Sequence, residues 1–69
     1  MKEKLELLVT EMIDKRILLD EAVGELERKY IQTVLSRTKG NQSKAAEVMG
    51  VHRNTLSRKI SQYKLNGRR

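Results

Sequence analysis

From Gly50 to Tyr63 the chain reads G-V-H-R-N-T-L-S-R-K-I-S-Q-Y, and Arg53, Asn54, Thr55, Ser57, Arg58 and Gln62 in it are hydrogen-bonding side chains with no acid among them. A guanidinium can grip guanine O6 and N7 with two parallel bonds, while Thr, Ser and Asn can serve base edges or phosphates. If the stretch is a helix, Leu56, Ile60 and Tyr63 fall at i, i+4 and i+7 and share its inner face. Asn54, Arg58, Ser61 and Gln62 then project to the opposite side, flanked by Thr55 and Ser57, and nothing apolar interrupts them. The major groove of B-DNA admits one α-helix, so the pattern predicts a reader of double-stranded DNA.

Other chemistries find little to work with. There is no cysteine, and His52 is the single histidine, so neither a thiolate nor a histidine cluster can hold a metal. Serines 36, 43, 57 and 61 have no base with an orienting acid near them in the sequence, which argues against nucleophilic catalysis. Tyr30 and Tyr63 are the only aromatic residues, too few for a base-stacking platform. The expectation is a chain that is not an enzyme and takes no cofactor or small-molecule substrate. Glu6, Thr10 and Glu11 interrupt Leu5 to Ile13 as a signal-peptide core, and no apolar run reaches membrane-span length. A bacterial-type cytoplasmic protein is expected.

The elements that must position the polar helix show first in the charge. Residues 1–38 carry seven Lys or Arg against eight Asp or Glu, a balance of −1, whereas residues 39–69 carry eight against Glu47 alone, a balance of +7. A polyanion bound by the second half, with another task for the first, fits that asymmetry. Lysine, glutamate, leucine, arginine and isoleucine dominate a proline-free sequence, which predicts an all-α fold of four helices. Leu5, Leu8, Val9, Met12 and Ile13 make an amphipathic stripe over about 2–15. Leu19, Ala22, Val23, Leu26, Tyr30 and Val34 make a second stripe, widened by Ile31 and Leu35. Gly40 is expected as the left-handed residue after this second helix, and Asn41 as the N-cap of a short third one from Gln42 that Gly50 ends. The acids of the first half read as solvated helix faces. Asn66 to Arg69 read as a solubilising basic tail.

A 69-residue core contributes roughly 3 to 5 kcal/mol, so a second copy is expected to share the apolar stripes. Residues 1–38 would supply the dimerisation helices, with Leu5, Leu8, Val9, Met12, Ile13, Val23, Leu26 and Tyr30 at the interface. Residues 39–66 would form a helix-turn-helix unit. Ala46 is small where the second helix of that unit must cross, Gly50 lets the chain reverse, and Val51 and Leu56 are expected to close a small core with Ala45 and Met49.

The stretch G-N-Q-S-K-A-A-E-V-M-G-V-H-R-N-T-L-S-R-K-I-S-Q-Y, residues 40–63, resembles the helix-turn-helix of the Fis family. That family takes in nucleoid proteins and the C-terminal DNA-binding domains of nitrogen-regulator-type enhancer-binding activators. The resemblance implies two N-terminal helices intertwined with those of a second copy and two recognition helices closer together than one DNA turn, so that bound DNA bends. By position it implies that Arg53 reads a base, and that Asn41, Ser43, Thr55 and Arg58 touch phosphates or groove edges. Lys44 and Lys59 would add backbone contacts. Asn54 joins this set from its place on the outward face, and His52, standing where the nucleoid members have asparagine, is a cap or a base contact. The β-hairpin arms that stimulate recombination have no counterpart before Leu5, so that activity is not expected.

The competing expectation is a small helical module whose basic face docks an acidic protein surface. Met1 directly before the first helix favours a stand-alone chain, and no Walker A motif is present, so the ATPase of any parent activator would lie outside it.

Overall fold

A helix leaves its first N–H and last C=O groups unpaired, and the fold is punctuated wherever side chains or a left-handed residue settle them. The computed structural model describes residues 1–65. It holds α1 (Lys2–Asp14), α2 (Leu19–Arg37), α3 (Gln42–Met49) and α4 (Arg53–Tyr63), with no strand among the described residues. The expected basic tail from Asn66 lies outside them. No helix is long and apolar enough to cross a membrane.

The starts of the helices follow side-chain chemistry. Asn41 Oδ1 accepts from the Lys44 N–H at 3.0 Å and opens α3 as expected. His52 is the N-cap of α4, its Nδ1 accepting from the Asn54 N–H at 3.1 Å. At the head of α2 the Leu18 N–H donates to Glu21 Oε1 at 3.0 Å, half of a capping box, since leucine has no acceptor to return the bond.

All four helices stop in the same way. The residue after the last turn turns left-handed and the next N–H reaches back five residues, the Schellman arrangement. The left-handed residues are Arg16 (φ 60°), Lys39 (φ 56°), Gly50 (φ 71°) and Lys64 (φ 57°). The closing bonds run from Ile17 N to Met12 O, Gly40 N to Leu35 O, Val51 N to Ala46 O and Leu65 N to Ile60 O, at 2.8 to 3.0 Å. Gly40 was expected in the left-handed position that ends α2; Lys39 takes it. Gly40 (φ 82°) follows as a second left-handed residue and turns the chain toward Asn41.

The core is small and belongs to three helices. Ile31, Val34, Ala45, Ala46, Leu56 and Ile60 are buried together, with Leu35, Met49, Tyr63 and Leu65 packed against them. The paired alanines of α3 keep its surface flat where the helices meet. Val51, expected to close this core, sits exposed at its rim. Helix α1 contributes no buried residue. Leu5, Leu8, Val9 and Ile13 on α1, and Val23, Leu26 and Tyr30 on α2, are exposed, while Met12 is half-buried. The Cα radius of gyration is 13.5 Å, against about 11 Å for a compact chain of this length.

These stops make backbone strain testable. Lys39→Gly should raise stability by up to about 1 kcal/mol, because a Cβ is removed from a left-handed conformation. Gly50→Ala should lower it by about 1 kcal/mol through the backbone alone, since an added Cβ would meet nothing within 4 Å. Urea midpoints of the two variants, shifted in opposite directions, would check this.

Candidate nucleic-acid interface

Helix α3 lies across the C-terminal half of α2, and the turn at Gly50–Val51–His52 sends α4 off with its inner face on the same core. Leu56 and Ile60 are buried and Tyr63 is half-buried, as their spacing predicts. That seating points Arg53, Asn54, Arg58, Ser61 and Gln62 to solvent, with Thr55 and Ser57 half-exposed at the flanks. Asn41, Ser43 and Lys44 are exposed on the first turn of α3, and His52 is exposed at the head of α4. The structure therefore leaves these side chains on the solvent-facing surface.

Their charges are unequally engaged. Arg53 and Arg58 have no ion-pair partner among the described residues. Lys44 reaches Glu47 at 3.7 Å on an open helix surface, a pair worth little in water. Ser57 Oγ donates to Gln42 Oε1 at 3.4 Å, a long bond between α4 and α3. Because His52 Nδ1 accepts a backbone N–H, the neutral ring carries its hydrogen on Nε2 and offers a donor beyond the helix cap.

Lys59 stands apart. Its Nζ lies 2.9 Å from Glu27 Oε2 on α2, and the Tyr63 hydroxyl donates to the other oxygen of the same carboxylate at 2.5 Å. Glu27 is half-buried and is not a solvated helix face, as the acids of the first half were expected to be. Sequence reasoning passed over it, although the signal was there: Glu27 sits one turn from both Val23 and Ile31, inside an apolar row. The Tyr63 bond and then the Lys59 bond hold the Glu27 carboxyl below its ordinary value of 4.5. The bond to Glu27 pushes the Tyr63 hydroxyl above its ordinary value of 10.0.

A family model described as bacterial regulatory protein, Fis family, matches residues 22–63. The chain belongs to the Fis family. The match runs from the first turn of α2 to the last residue of α4, so the family unit includes the helix on which the helix-turn-helix is seated. Among curated relatives, "DNA-binding protein Fis" of Buchnera aphidicola subsp. Schizaphis graminum is 39% identical over 44 residues, covering 64% of this chain and 44% of that protein. The "Putative Fis-like DNA-binding protein" of Pseudomonas aeruginosa is 46% identical over 41 residues, covering 59% and 39%. The "DNA-binding transcriptional regulator NtrC" of Azospirillum brasilense is 51% identical over 43 residues, covering 62% of this chain and 9% of its own length. The matched segment thus spans less than half of each of these Fis-family relatives. No solved structure gives a significant match.

The Glu27 carboxylate ties the seating of α4 to pH. A carboxyl whose folded-state value is depressed adds stability that is fully present above 4.5 and lost as pH falls through the folded value. The urea midpoint of the unaltered chain should therefore drop on acidification below 4.5 more steeply than that of Glu27→Gln. The two should converge at low pH, and parallel curves would contradict it.

Proposed function

We propose that this chain binds double-stranded DNA sequence-specifically as a homodimer, as a transcriptional regulator or a DNA-bending nucleoid-type factor of the bacterial cytoplasm. The observation that carries the reading is the outward face of α4, where Arg53 and Arg58 stand unpaired beside Asn54, Thr55 and Gln62 with no acid on the helix. Arg53, at the first turn, is placed to read a base edge, since N-terminal residues of such a helix reach deepest into the major groove. Arg58, Lys44, Ser43, Asn41 and Thr55 surround it for phosphates and groove edges, and Nε2 of His52 adds a donor. The relatives, named as DNA-binding proteins, point the same way.

The two-copy part of the reading rests on surface that one protomer leaves wet. Val23 is 54% exposed, Leu26 57% and Ile13 66%, on helices that pack only loosely together. A groove of about 370 Å³ runs between Leu8 and Met12 of α1 and Leu26 and Gln32 of α2. A larger one of about 700 Å³ is lined by Leu26, Tyr30, Val34 and Val48 and rimmed by Lys29, Arg37 and Lys44. The apolar stripe of a second copy's α1 suits such a groove in polarity. Residues 1–38 then serve as the dimerisation part and 39–66 as the reading part. A two-fold pair of α4 helices calls for a pseudo-palindromic site whose centre is read through deformability.

Mobility-shift titrations over a range of salt test the reading. Affinity for duplex DNA should fall linearly with salt on logarithmic axes, and salt-independent or absent binding would sink it. Arg53→Ala should cost about 1 to 3 kcal/mol on a preferred site and flatten preference at one symmetric base pair. Lys44→Ala should weaken preferred and random duplexes alike and lower the salt slope by about 1 for each contact removed, about 2 for the two copies. The thermal midpoint of the free protein should climb with its concentration, and a concentration-independent midpoint with a monomer mass in sedimentation would refute the homodimer.

A further inference from the structure

Among the described residues, three of the four ion pairs are local, three or four residues apart on one helix or at its end. The fourth, Lys59 to Glu27, joins α4 to α2. It is reinforced by Tyr63 on the same carboxylate, so that the two oxygens of Glu27 hold two residues one turn apart at the C-terminal end of α4. Both members of the pair have only a third of their side-chain surface open to water. An ion pair half out of water is screened less by salt than one on an open helix face.

Lys59 is also turned the wrong way for a groove. At 100° per residue it lies about 40° from Tyr63 around α4 and about 100° from Arg58. Its ammonium is therefore directed toward α2, where an acid already meets it.

Resting on the DNA-binding reading above, we propose that Glu27 is a positioning residue that clamps the C-terminal end of α4 to α2 and withholds Lys59 from the DNA phosphates. The charge that α4 presents to DNA is then that of Arg53 and Arg58. The clamp exchanges one phosphate contact, which any sequence would satisfy, for a fixed tilt of the helix that reads bases. The depressed Glu27 carboxyl keeps the clamp charged and closed through the neutral range.

The slope of log affinity against log salt tests this on the full chain, because each phosphate contact contributes about 0.9 to it. Lys59→Gln should leave the slope on random duplex unchanged. Glu27→Gln, which can still accept from Tyr63, should steepen it by about 1 per protomer, about 2 for the dimer, as Lys59 swings to a phosphate, and should narrow the ratio of preferred to random affinity. The double variant Glu27→Gln, Lys59→Gln should return to the original slope. A lower slope for Lys59→Gln overturns the proposal while leaving DNA binding intact, and so does an unchanged slope for Glu27→Gln. Absence of any duplex binding by the unaltered chain overturns both readings. Circular dichroism confirms that each variant is folded, and if Glu27→Gln is not, the slope of Lys59→Gln alone decides.

Discussion

Everything in the helix-turn-helix depends on the packing of α3 and α4 against the C-terminal half of α2, the region where Ile31 and Leu56 are withdrawn wholly from water. Helices of 8 and 11 residues are too short to persist alone in water, where about 12 to 15 residues are marginal. They exist because α2 gives them an apolar floor and because the small Ala45 and Ala46 are buried where the three helices meet. The caps then fix where each begins: Asn41 for α3, His52 for α4. The outward chemistry of Arg53 and Arg58 is a by-product of which side of α4 had to face that floor.

Helix α2 has two clients. Its C-terminal half supplies Ile31 and Val34 to the core, while Val23, Leu26 and Tyr30, on the same stripe nearer its start, stay exposed to solvent. Contiguous exposed apolar surface of this kind usually marks an interaction site. The extended protomer agrees, since most of α1 covers nothing of the core. Glu27, which meets Lys59 and Tyr63 of α4, belongs to the same helix, so the seating of α4 and the exposed apolar patch are referred to a single element.

Much of this was legible in the residues. The apolar periods of α1, α2 and α4, the Asn41 cap and the Gly50 turn are local patterns, and local patterns survive folding. The inner face of α4 followed from three apolar residues at helical spacing. What stayed hidden depended on neighbours far along the chain. Glu27 and Lys59 are 32 positions apart, and neither residue type announces a partner; an acid in an apolar row was the faint sign. The left-handed role of Lys39 was obscured by Gly40 beside it, because propensity favours the glycine while the hydrogen-bond register selects the residue before it. Whether Val51 lies inside or at the rim is decided by the angle at which α4 leaves the turn, which composition does not encode.

The uninterrupted course of α2 has a mechanical consequence. Its 19 residues make a rod about 28 Å long, with the exposed apolar patch toward one end and the seat of the helix-turn-helix toward the other. The two are geared. A single residue inserted between Leu26 and Ile31 would turn one end against the other by about 100° and lengthen the rod by about 1.5 Å, leaving each half intact but out of phase. Inside the rod, the spacing is a phase relation that only a full set of turns could restore.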